Sequence, residues 1–95
     1  MEQLETDRLI DLCRKHGVRK VSLFGSFARG DAGPESDVDL IVEFAEPTGF
    51  LALVRLEHEL SELLGRKVDL LTEAAIGRHL KEEILQSRRV IYEAA

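Results

Sequence analysis

The run Asp37-Val38-Asp39-Leu40-Ile41-Val42 constrains the fold more than any other stretch of the chain. Side chains alternate faces along an extended backbone, so Asp37 and Asp39 share one face while Val38, Leu40, Val42 and Phe44 share the other. One face must join a core; the opposite face begins with two carboxylates. Two unit negative charges about 5 Å apart repel by roughly 3 kcal/mol at an effective dielectric near 20. Relief comes from protonating one acid, from an arginine or lysine partner, or from a hard divalent cation, and magnesium prefers such oxygen ligands.

The segment just upstream favours the cation. Val21-Ser22-Leu23-Phe24 reads as a short buried strand, and Gly25-Ser26 opens a helical turn that runs through Arg29 and stops at Gly30. Backbone N–H groups at such a start lack intrahelical partners and suit phosphate oxygens. Gly25 lets a phosphate approach the backbone, the Ser26 hydroxyl donates a further hydrogen bond, and Arg29 adds positive charge one turn later. Alone, Gly25-Ser26 favours an ordinary turn with Ser26 as N-cap, since short glycine motifs recur by chance. The carboxylate pair downstream turns the balance towards a phosphate site. Ser36, directly before the first acid, is grouped with Gly25, Ser26 and Arg29 as a candidate for the same phosphate-binding site.

These residues resemble the minimal nucleotidyltransferases of the DNA polymerase beta superfamily. The family signature is Gly-Ser, ten residues, then Asp-x-Asp, and Gly25-Ser26 followed by Asp37-Val38-Asp39 fits it without a gap. The family's third carboxylate lies on a later strand. Val68-Asp69-Leu70-Leu71-Thr72 is the later strand-like segment that carries an acid between apolar neighbours, so Asp69 is its match. The resemblance implies that Gly25 and Ser26 hold the triphosphate of ATP and that Asp37 and Asp39 bind two Mg2+ ions. It further implies that Asp69 helps bind the catalytic metal and orients or deprotonates an attacking hydroxyl. Two metals a few ångströms apart stabilise both the attacking and the leaving oxygen of an in-line displacement.

Other motifs fit less well. The Asp-x-Asp of haloacid-dehalogenase phosphatases follows an apolar strand, whereas Gly33-Pro34-Glu35-Ser36 precedes these acids. A Walker A loop needs Gly-Lys-Ser/Thr, and Gly30 is followed by Asp31. The order Gly25-Ser26 is wrong for a Gly-x-Ser-x-Gly elbow. His16, His58 and His79 lack the mutual spacing of a zinc site.

The remaining chain supplies the frame. Residues 3 to 16 read as a helix with Leu9, Leu12, Cys13 and His16 on one face and Gly17 as its stop. Strands are expected near 18–24, 37–44, 67–71 and 90–92. A helix starting at Pro47-Thr48 carries Phe50, Leu53, Leu56, Leu60, Leu63 and Leu64 as an apolar stripe up to Gly65. A last helical region opens at Thr72-Glu73, with Ile76, Leu80 and Ile84 every fourth residue and an interruption near Gly77. Helices alternating with strands give an α/β (α+β) class, a small mixed β-sheet with helices packed chiefly on one face. The resemblance makes this a polymerase-beta-like nucleotidyltransferase palm, a single domain over residues 1–95.

Composition limits the partners. A net charge of −5 argues against an extensive grip on nucleic acid, which neutralises phosphates with lysine and arginine. The single Cys13 forms no internal disulfide, there is no apolar run of membrane-spanning length, and Met1-Glu2-Gln3-Leu4-Glu5 is acidic; a cytoplasmic setting is expected. Leu51, Val54 and Leu63 exceed what one helix face buries, which leaves room for a protein partner, in a hetero-oligomer or a homodimer. The resemblance implies a helical partner of the HEPN type, with the nucleotidyltransferase as antitoxin and, in some members, as adenylyltransferase of the toxin's tyrosine. Two functions follow: nucleotidyl transfer to a partner's hydroxyl, or a catalytically silent module that neutralises the partner by contact.

Overall fold

The computed structural model describes residues 6–30, 32–33, 36–72, 75–76 and 78–94. The expected helix start at residues 3–5, Pro34, the Glu73 helix start and the interruption at Gly77 lie outside the described residues, as do the side chains of Ser26, His79 and Leu80.

Among the described residues eight elements follow one another: α1 (Thr6–Lys15), β1 (Val18–Phe24), α2 (Ser26–Arg29), β2 (Val38–Phe44), α3 (Phe50–Leu64), β3 (Val68–Thr72), α4 (Arg78–Ser87) and β4 (Arg89–Glu93). The sheet order is β3-β2-β1-β4. β1 runs antiparallel to both β2 and β4, while β2 and β3 are parallel. A parallel pair requires a long crossover, and α3 supplies it. The mixed sheet expected from the alternation of elements is therefore present, with strand limits within a residue or two of those read from the sequence.

The core lies where alternation puts it. Val21 and Leu23 of β1, Val38, Leu40 and Val42 of β2, and Val68 and Leu70 of β3 are buried against Leu9 and Cys13 of α1 and Leu56 and Leu60 of α3. Each such leucine contributes roughly 1.5–3 kcal/mol through removal from water. Burial pushes the Cys13 thiol up to about 12, so Cys13 is a packing residue. The His16 imidazole reaches across to Glu59 on α3, with Nε2 3.3 Å from Oε1. No helix among the described residues is long and apolar enough to cross a membrane.

The apolar stripe of α3 is shorter than its sequence suggests. Leu56 and Leu60 are buried and Leu53 and Leu64 pack against the core, but Phe50, Leu51 and Val54 are exposed. Fifteen helical residues span about 22 Å. The five residues of β3, the strand that comes after α3, span only about 17 Å, so the helix is longer than that strand and its first turn extends past it. Leu63, read as surplus, is half-buried and lines a shallow cleft between α1 and α3 with Arg8, Asp11, Leu12 and Lys15.

Candidate active site

Two elements bring the acids together. Asp39 is the second residue of β2 and Asp69 the second of β3, and the parallel register sets them side by side. On its other flank Asp39 pairs with Phe24, the last residue of β1, directly before Gly25. The Asp39 and Asp69 carboxyls lie close enough for one to donate to the other when a single proton is held between them. Burial, then the Asp69 charge and hydrogen bond, then the Asp37 charge, raise the Asp39 pKa above the ordinary aspartate range, and only Arg29 among the named charges opposes them. An ionised Asp39 is thus short of positive charge.

Gly25 completes the floor of the site. Its φ of +73° belongs to the left-handed region that disfavours side chains. A β-carbon there would sit 2.5 Å from Asp39 Oδ2, closer than real contacts allow. Gly17, Gly30 and Gly65 also have positive φ but face open space. Gly25 alone among the described glycines unites the two demands, and it lets backbone and carboxylate meet at one point. Ser26 then opens α2, and the Arg29 N–H donates to the Gly25 carbonyl at 3.1 Å.

Asp37 stands one residue ahead of β2 and is exposed. Its charge reaches Asp39, but the direct contact is between Asp39 and Asp69. Among the described residues no group of three or more His, Cys, Asp or Glu side chains is arranged to hold a metal ion. Ser36 is engaged locally: its Oγ accepts from the Gly33 N–H at 2.8 Å, and its own N–H donates to the Gly33 carbonyl at 3.1 Å. Lys67 Nζ lies 3.9 Å from Asp69 Oδ1.

Three residues outside the motif fix these positions. β3 is an edge strand, and its Val68 and Leu70 N–H groups, on either side of Asp69, donate to Ser61 Oγ at 3.1 Å and Glu57 Oε2 at 2.8 Å. Glu57 and Ser61 are one turn apart on α3, and polar residues at that spacing inside a leucine stripe are a sequence signal for such a role. Arg66 Nη1 donates to the carbonyls of Gly33 and Ser36 at 3.3 and 3.2 Å, and its guanidinium lies 5.1 Å from the centre of the Phe27 ring on α2. No local sequence pattern reveals those contacts.

Known proteins resemble this chain in sequence and in fold. Residues 8–92 match the family model described as a nucleotidyltransferase domain. The protein MJ0435 of Methanocaldococcus jannaschii, named as a candidate protein adenylyltransferase, is 47% identical over 78 residues, 82% of this chain and 84% of its own. The protein adenylyltransferase MntA of Thermococcus cleftensis is 36% identical over 92 residues, 97% and 91% of the two chains. In structure, the chain superposes with a TM-score of 0.74 and 21% identity on a chain of the complex between tri-AMPylated HEPN toxin and MNT antitoxin of Shewanella oneidensis, over 94% of this chain and 70% of that one. The chain belongs to the nucleotidyltransferase domain family and is an enzyme of that family.

Proposed function

We propose that this chain transfers AMP from ATP to a hydroxyl of a protein partner with Mg2+ bound at Asp37, Asp39 and Asp69, and that the partner is a helical HEPN-type toxin for which it serves as antitoxin. The observation that carries the reading is the Asp39–Asp69 pair, in which burial and two acidic neighbours raise the Asp39 pKa beside the bare backbone of Gly25. The names of the relatives support adenylylation, and the Shewanella complex supports the partner class.

The donor set suits magnesium. Mg2+ is commonly held by one or two carboxylates plus substrate phosphates, so two paired acids beside a phosphate cradle suffice without a protein cage. When bound, the two ions neutralise charge on the attacking and leaving oxygens. The chain's own residues do the rest. Gly25 and Ser26 seat the polyphosphate against the backbone, and Ser36 borders the same nucleotide site. Arg29 adds positive charge beside Asp39. Asp69, at the mouth of the pair, orients the incoming hydroxyl and takes its proton. The new bond joins that oxygen to the α-phosphorus, the bond from the α-phosphorus to its bridging oxygen breaks, and pyrophosphate leaves.

ATP labelled at the α- or γ-phosphate, incubated with Mg2+ and a purified HEPN-type partner, tests the proposal. Label is expected on the partner from the α position only, with Asp39→Asn reducing transfer by about 10²–10³-fold, as loss of several kcal/mol of charge stabilisation requires. Label arriving from the γ position, or undiminished transfer by Asp39→Asn, contradicts it. One observation favours a contact-only role: Phe50, Leu51 and Val54 form an exposed apolar turn. In that reading Asp39→Asn neutralises the partner as well as the wild type does.

A further inference from the structure

We infer that Arg66 is a positioning residue for nucleotide binding, holding the segment between β1 and β2 in the shape the polyphosphate meets. The inference rests on the nucleotidyl-transfer reading. Arg66 lies between α3 and β3, far along the chain from the Gly25-Ser26 turn. Yet its guanidinium touches both ends of the segment that leads from that turn to the acids. One face lies 5.1 Å from the Phe27 ring centre, next to Ser26 on α2, and Nη1 donates to the Gly33 and Ser36 carbonyls, next to Asp37. Phe27 itself packs against the core, so the ring is an anchored platform.

The following residue closes the frame. The Lys67 carbonyl accepts from the Val38 N–H at 2.9 Å, which sets the β2–β3 register that aligns Asp39 with Asp69. A single short stretch, Arg66-Lys67, therefore fixes both the loop and the acid pair. Arginine suits the position because a planar guanidinium can stack on a ring while its edge donates to carbonyls. A lysine ammonium reaches the carbonyls but does not stack as a plane. Arg66 touches neither of the paired acids, so its effect on chemistry passes through the backbone it holds.

The test compares the full chain with Arg66→Ala, Arg66→Lys and Phe27→Leu in two measurements. The first is amide hydrogen exchange without nucleotide. In Arg66→Ala the amides of Phe27, Ala28, Gly33, Ser36 and Asp37 are expected to exchange about tenfold faster, with those of β1, β2 and α3 unchanged. The second is affinity for a fluorescent non-hydrolysable ATP analogue with Mg2+, together with KM and kcat for labelled ATP. Arg66→Ala should weaken binding and raise KM about tenfold with kcat within about twofold, Arg66→Lys should recover part of the loss, and Phe27→Leu should show a smaller change in the same direction. Wild-type affinity in Arg66→Ala, or exchange that accelerates uniformly through the core, overturns the inference alone. Failure of the wild-type chain to bind the analogue overturns the functional reading, and the inference with it.

Discussion

At Gly25, backbone shape and side-chain space impose separate demands, and substitutions can separate them. Gly17→Ala meets only the positive φ, which costs about 1–2 kcal/mol. Gly25→Ala meets the same strain and also drives a β-carbon into Asp39. Both variants should melt several degrees below wild type, but only Gly25→Ala should lose nucleotide affinity, by about tenfold or more, measured by titration with an ATP analogue. Equal affinity in the two would show that the Asp39 contact is incidental. Asp39 makes a prediction of opposite sign. Without metal the folded state binds its proton more tightly than the unfolded chain does, so Asp39 weakens the fold as pH rises from the ordinary aspartate range through the raised folded-state value. Asp39→Asn should therefore unfold at a higher temperature than wild type at pH 7 in chelator, and the gain should vanish near pH 3, at about the foot of the ordinary aspartate range. No gain at pH 7 would mean that the pair carries no electrostatic burden. Asp37 and Asp39 were legible because a period of two needs only neighbouring residues. Arg66 was not, because its partners are tens of positions away and become neighbours only when β3 joins β2.

The helices divide labour in a way the leucine pattern only partly disclosed. α3 covers the sheet with Leu56 and Leu60, and with Glu57 and Ser61 it satisfies the N–H groups that the β3 edge would otherwise offer to another strand. Its first turn overhangs. Leu60→Ala should cost about 2–5 kcal/mol, as expected for a fully buried leucine, whereas Phe50→Ser should stay within about 0.5 kcal/mol, both read from urea denaturation midpoints. A large loss in Phe50→Ser would place that ring in the core. Helical periodicity reports which residues share a face, but not how far along the helix the underlying sheet extends. That is why Phe50 was assigned to the buried stripe, whereas Leu53, Leu56, Leu60 and Leu64 were assigned correctly.

For the molecule as a whole, the sheet order β3-β2-β1-β4 matters more than any single strand. It puts β2 in the middle, with the strand that leads into the Gly25 turn on one side and the strand bearing Asp69 on the other. The existence of a mixed sheet could be read from alternating helices and strands. Its order could not, because pairing between distant strands leaves no local trace. The resemblance to nucleotidyltransferases grouped Gly25-Ser26, Asp37-Val38-Asp39 and Asp69 without a strand order; the parallel register then sets Asp39 beside Asp69, with Asp37 exposed one residue ahead of β2. In the proposed function the acid pair beside Gly25 is the centre on which transfer, nucleotide binding and the destabilising charge all depend. Counting Mn2+ ions bound per chain by electron paramagnetic resonance, with a non-hydrolysable ATP analogue present, tests it most directly. The expected result is two ions on the wild-type chain and a loss of at least one in both Asp39→Asn and Asp69→Asn; equal occupancy in all three proteins, or none in the wild type, would contradict it.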